Sequence, residues 1–306
     1  MNEKKLPILV AVGDSDTHDA ALRFAADEAV RDQRPLHLAH VLHAPRAGMF
    51  PEQLLISFSA VELAASSLLR SQADGAAHLT GCVVPVTQTL RRGSVVDQLV
   101  ELSEDAHHVV LQHRQQARMV RVFTGSTAVG VAAHAAVPVV SVPELWSGPS
   151  NQDVVVALDH VGTDSALLRY GFAQALSRGA KLTVLHTWFV PAIYDDALVD
   201  LNSLHGWQDG VRARIEAALV PLRANHPQVD VHVELVHGRP ADAVVERSAR
   251  SDLLVLGRSG ASPGASHLGA VSRAVLWEAR CPVAVVYAVG PSPAHPSDTR
   301  ETVSAS

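Results

Sequence analysis

Residues 255–286 read "VLGRSGASPGASHLGAVSRAVLWEARCPVAVV". An apolar run stops at Gly257, small residues follow, then a helix-like segment, then a second apolar run. Strand, glycine-containing turn, helix and strand is the order of one βα unit in a parallel sheet. Residues 110–142, "VLQHRQQARMVRVFTGSTAVGVAAHAAVPVVSV", have the same layout, with glutamines in place of the first two glycines. The glycines after the first run are either a plain turn or a floor over which an anion can approach the backbone.

Working outward, the whole first half recurs in the second. "ILVAVGDSDTHDAALRFAADEAVRDQRPLHLAHVL" (8–42) matches "VVVALDHVGTDSALLRYGFAQALSRGAKLTVLHTW" (154–188), so Gly13 stands against Asp159 and His40 against His186. "RRGSVVDQLVE" matches "VHGRPADAVVE", and Gly125 stands against Gly269. A duplication of this length predicts two tandem domains of one fold.

Each copy alternates strand and helix. "ILVAV" and "VVVAL" are short runs rich in branched residues, as strands covered on both faces require. "AALRFAADEAV" has helical spacing, with Thr17 and Asp19 ahead of it as start signals. "LHLAHVL" reads as a second strand, "VELAASSLLRSQADGAAHL" as an amphipathic helix and "VVPVTQTL" as a third strand. "SVVDQLVELSEDA", "HHVVLQ", "STAVGVAAHAA" and "VPVVSV" complete the first half as helix, strand, helix, strand. The fold expected is α/β, with two tandem doubly wound, five-stranded parallel sheets. The expected division is residues 1–145 and 152–288, joined by the turn-rich "PELWSGPSNQ" (143–152), with a Pro/Ser-rich disordered tail at 289–306.

Composition sets the outer limits. The 306 residues are 47% hydrophobic and 18% charged, an ordinary globular balance. A net charge of −6 argues against nucleic acid and anionic membranes as partners. Two cysteines make no disulfide framework, and the 17 histidines are scattered without metal-ligand spacing. "MNEKKLPILVAV" is too short an apolar run for a signal peptide, and nothing approaches the ~18 apolar residues of a membrane span. A cytoplasmic protein is expected. There is no GxxxxGK[ST], no GxSxG and no GxGxxG after a first strand, nor any set of catalytic carboxylates or triad. An enzyme is therefore not expected.

With these residues in place, the chain resembles tandem universal stress proteins over roughly residues 6–288. The resemblance implies an adenine nucleotide alpha hydrolase-like fold. In members that bind adenine nucleotides it implies a G-x2-G-x9-G-(S/T) loop between the fourth strand and the last helix. It also implies an aspartate at the end of the first strand, and a backbone contact at the end of the second. The physical basis is sound: glycines admit an anion, successive N–H groups form a nest, and a helix N-terminus follows. On the second half this resemblance selects Asp159, Thr187, Gly257, Arg258, Gly260, Gly269, Ala270 and Ser272, with ATP, and Mg2+ accompanying it, as the ligand. The pattern is incomplete there. Eight residues, not nine, separate Gly260 from Gly269, and Ala270 replaces the hydroxyl residue, with Ser272 one turn on as a partial substitute.

The first half keeps the spacing, Gln112-x2-Gln115-x9-Gly125-Ser126, but glutamines fill the cradle and Gly13 stands at the aspartate position, with Asp14 beside it. Arg114, Arg118 and Arg121 make that loop basic, either as another anion site or as a solvated patch. The first half is expected not to bind nucleotide well.

Other features carry bland readings. His40 and His186 recur at one place and suggest a shared structural task. Cys281 reads as a buried small hydrophobe, and Trp188 with Phe189 as packed surface over the sheet end. Pro138 and Pro282 begin the two fifth strands, which suits edge or first-residue positions. Pairing those strands within the chain would make an intrachain pseudo-dimer. The function the resemblance implies is stress-response regulation through ATP bound chiefly in the second domain. The alternative is a nucleotide-free universal stress protein serving as a scaffold for a protein partner. Whether the chain stands as a pseudo-dimeric monomer or forms homodimers stays open.

Overall fold

The computed structural model describes residues 5–13, 20–42, 51–113, 127–159, 165–189, 201–258 and 268–287, without the side chains of 51–58 and 201–205. The first half runs β1 (Ile8–Ala11), α1 (Ala20–Asp32), β2 (Leu36–Leu42), α2 (Pro51–Leu79), β3 (Val86–Arg92), α3 (Val95–Ser103), β4 (His108–His113), α4 (Thr127–His134) and β5 (Val139–Pro143). The second half repeats it as β6 (Asp153–Leu158), α5 (Ser165–Arg178), β7 (Lys181–Trp188), α6 (Leu201–Asn225), β8 (Val231–His237), α7 (Pro240–Ser248), β9 (Leu253–Arg258), α8 (Ala270–Glu278) and β10 (Val283–Tyr287).

All ten strands form one sheet, in the order β3-β2-β1-β4-β5-β10-β9-β6-β7-β8. Pairing within each half is parallel; β5 and β10 meet antiparallel, with Ala284 opposite Val140. The two fifth strands are thus each other's neighbour, and neither is left as an open edge. The expected intrachain pseudo-dimer is the architecture observed.

Two core layers follow from strand alternation. Ile8 and Val10 face one layer, which joins α1, α2, α5 and α6; Leu9 faces the other, which joins α3, α4, α7 and α8. Each layer crosses the β5–β10 seam without interruption. Gly171 shows how tightly α5 lies on the sheet: a Cβ there would fall 2.3 Å from Val156 Cγ2. The helix expected at 61–79 is longer, beginning at Pro51. Proline suits a first helical position because its missing N–H has no intrahelical partner there.

Side chains of both halves hold the connection between them, and Arg23 Nη2 donates to the Trp146 carbonyl at 3.1 Å. Asp252 Oδ1 accepts from the amides of Ser150 and Asn151, and Oδ2 from that of Gln152. Cys281 is buried, and burial pushes its thiol up to about 12, in keeping with a packing role. Among the described residues, no helix is long and apolar enough to cross a membrane.

Candidate functional site

In an open α/β sheet, ligand sites fall beyond the carboxyl ends of the strands. In the second half those ends are set by register. Leu158 lies opposite His186, and Ala157 opposite Leu256. One step further, Asp159 follows β6, Thr187 lies near the end of β7, and Gly257 near the end of β9. Three of the expected residues, far apart in sequence, are therefore brought to one level of the sheet edge. Asp159 is exposed there, and Thr187 and Gly257 are half-buried.

Helix α8 starts on the same edge because it follows β9 in the chain. Gly269 is its N-cap, with no side-chain cap bond, and the first intrahelical bond runs from Arg273 N to the Gly269 carbonyl. The amides of Ala270, Val271 and Ser272 thus precede the helical ladder, at the positive end of the dipole. Among the described residues, a Cβ on Gly269 would meet nothing within 4 Å. Among the described residues, then, no side chain caps the start of α8. Ser272 lies within its first turn but is buried. Gly260 and the loop 259–267, with its shortened spacing, lie outside the described residues.

Arg258 departs from the expected phosphate contact. Its guanidinium is buried, and Nη1 donates to the carbonyls of Ala132 at 3.0 Å and Ala135 at 2.9 Å, at the end of α4 in the other half. Its Cζ lies 4.6 Å from the centre of the Tyr287 ring. The negative end of a helix dipole favours a cation there.

On the corresponding edge of the first half a glutamine stands where the second half has Gly257. Gln112 Oε1 accepts from the amide of Ala20, the first residue of α1, at 2.9 Å. The glutamine expected to occupy the phosphate space instead caps a helix. Thr17, Asp19, Gln115, Gly125, Ser126 and the three loop arginines lie outside the described residues. The recurring histidines have the structural task expected of them. Nδ1 of His40 donates to the Val12 carbonyl at 3.0 Å, and that of His186 to the Leu158 carbonyl at 3.1 Å. Each pins the end of a first strand to its neighbour. Trp188 packs against His237 and Trp207, with ring centres 4.2 and 5.4 Å away.

A second polar cluster joins the halves elsewhere. Glu28 of α1 is buried and accepts from Arg178 of α5 at 2.5 Å. His108 Nε2 is 2.8 Å from Glu28 Oε2, close but poorly aligned for a hydrogen bond. Burial would raise the Glu28 carboxyl, but Arg178, His108 and Arg31 outweigh it and hold it at about 2. Beside the cluster is a pocket of about 270 Å³, lined by Phe24, Asp27, Trp146 and Asp252 among others. It adjoins the starting ends of β6 and β9, away from Asp159 and Gly257. Sequence reasoning missed Glu28, although an acid between Phe24, Ala25 and Ala29 on the apolar face of α1 was a usable signal. It also missed the partners of Gln112, His113 and Arg258, because nothing local encodes them.

Comparison with known proteins agrees with this architecture. A universal stress protein of Mycobacterium tuberculosis is 28% identical over 318 aligned positions, covering 96% of this chain and 99% of its own. The crystal structure of a universal stress protein from Archaeoglobus fulgidus covers 92% of this chain and 96% of its own at a TM-score of 0.64, with 16% identity, which shows the fold alone. A universal stress protein solved in complex with cAMP is 27% identical and covers 46% of this chain and 99% of its own, with a TM-score of 0.32. The universal stress protein family model matches twice, at residues 6–143 and 150–287, one match to each half of the sheet. The chain therefore belongs to the universal stress protein family.

Proposed function

We propose that this protein is a regulator that binds an adenine nucleotide, ATP with its Mg2+, at the carboxyl edge of its second half, without turning it over. The observation that carries this reading is the start of α8: among the described residues no side chain caps the helix at Gly269, and none lies within 4 Å of where its Cβ would stand. Free amides at a helix N-terminus suit an anion. Asp159 and Thr187 stand on the same edge, where the ribose and base of such a ligand would lie. Gly257 adds no side chain to the space between β9 and α5. Ala270 supplies no hydroxyl, so phosphate contacts there come from the backbone. Binding favours whichever conformation holds the nucleotide more tightly.

The test is calorimetric titration of the full chain with MgATP, on wild type and on Gly257→Gln, which copies the residue of the first half. About one equivalent bound by wild type, and at least a tenfold weaker affinity in the variant, is expected. No binding by wild type at millimolar MgATP would favour the scaffold reading. ATP hydrolysis above background would overturn the non-catalytic one.

A further inference from the structure

The last residues of β4 and β9 are His113 and Arg258, equivalent positions in the two copies. Arg258 crosses the seam to the end of α4, donating to Ala132 and Ala135. His113 crosses the other way: its Nε2 donates to the carbonyl of Trp277 in α8 at 3.0 Å. Each copy's loop-bearing strand thus ends in a side chain that holds the last helix of the other copy. The exchange is reciprocal, and it straddles the paired strands β5 and β10. Arg258 pairs with Tyr287 of β10, and His113 with Pro143 of β5.

The geometry points to His113 and Arg258 as positioning residues that couple the strand-end site of one half to the last helix of the other. Arg258 follows Gly257 directly, so any movement of that strand end is carried to α4. His113 grips α8 near its end, and the start of α8 belongs to the candidate site. A first-half residue therefore sets how that helix is presented. Arg258 suits this role best, because it is buried and breaking its bonds leaves buried carbonyls unpaired, whereas His113 is half-buried. The ligand part of this inference rests on the nucleotide reading above. The brace itself does not.

Hydrogen exchange on the full chain tests it. Without ligand, Arg258→Met is expected to speed exchange at residues 131–135 by about ten- to a hundredfold, leaving α3 and α7 unchanged. Arg258→Lys is expected to restore part of the protection. His113→Phe is expected to speed the last turn of α8 and to weaken MgATP binding in the second half by a few fold. With MgATP, α4 gains protection in wild type and none in Arg258→Met. Unchanged α4 exchange in Arg258→Met, or uniform acceleration of every helix, overturns the brace. Equal MgATP-induced protection of α4 in both proteins overturns the coupling. If wild type binds no MgATP, the nucleotide reading falls, and the ligand-free arms still decide whether the two residues position the opposite helices.

Discussion

β4 ends in Gln112 and His113, and β9 in Gly257 and Arg258. Both strands sit in the same layer order, beside a fifth strand and before a last helix. In the first half the penultimate side chain turns back to cap α1. In the second the penultimate residue is Gly257, which has no side chain to turn toward α5, the counterpart of α1. A duplicated fold thus keeps its cores alike while the two sheet edges diverge. One edge carries a glutamine that reaches across to α1, and the other a glycine at the same place. The halves also differ where they hold each other. The position of Glu28 is Gln174 in the second copy, and that of Asp32 is Arg178, so one copy supplies acids and the other a base.

The sharpest way to break this comparison is to make the seam alike on both sides. Glu28→Gln copies the second half and leaves Arg178 buried without its carboxylate. Removing one member of a buried pair costs about 3–5 kcal/mol, which for a chain of this size lowers Tm by roughly 6–10 °C. Calorimetric melting at neutral pH checks it; a loss below 1 kcal/mol would sink the idea that this cluster holds the halves together.

Acid titration dissects the same cluster. Burial, with His108 and Arg34 nearby, lowers His107 to about 4. The unfolded chain then takes up a proton that the folded chain refuses, so stability falls as pH drops from about 6.5 to about 4. Glu28, held at about 2, contributes fully above about pH 4.5, and that contribution is lost as pH falls toward 2. Asp27, raised by burial, works in the opposite sense. Glu28→Gln should flatten the lower part of the stability–pH curve and leave the upper part in place.

A smaller effect is expected at the edge of the first half. Gln112→Gly gives the first half the residue of the second and removes the cap on Ala20. The loss should be about 1 kcal/mol by urea unfolding. No MgATP site should open, because Gln115 remains and Gly13 stands where the second half has Asp159. A second equivalent of bound nucleotide would show that Gln112 alone closes that edge.

Much of this was legible in the sequence because it is periodic. Alternating βα units, the 146-residue repeat between Gly13 and Asp159, and the two fifth strands all come from short-range pattern and self-similarity. The paired histidines were legible for the same reason, since a residue recurring under both second strands is tied to the fold. The contacts of Glu28, Gln112, His113 and Arg258 were not. Each depends on which element the fold brings alongside, 92 residues away for Gln112 and Ala20 and 126 for Arg258 and Ala132. Arg258 shows the limit best: beside a loop glycine it reads as a phosphate ligand, and only the fold reveals that it donates to the carbonyls at the end of α4.

The finest discrimination lies at Gly269. Its φ of −57° and ψ of 159° suit any residue, and no atom of the described residues blocks a Cβ. Helix physics alone prefers Asp or Ser there, since either caps the helix better than glycine by a few tenths of a kcal/mol. Gly269→Asp should therefore stabilise the chain slightly in urea. It should also place a negative charge where the phosphates of a nucleotide would lie, and so abolish MgATP binding. A gain in stability with binding lost would mean that the helix is left uncapped for its ligand, at the expense of stability. A gain in stability with affinity unchanged would place the anion elsewhere, and this edge of the second half would then be a surface without a phosphate.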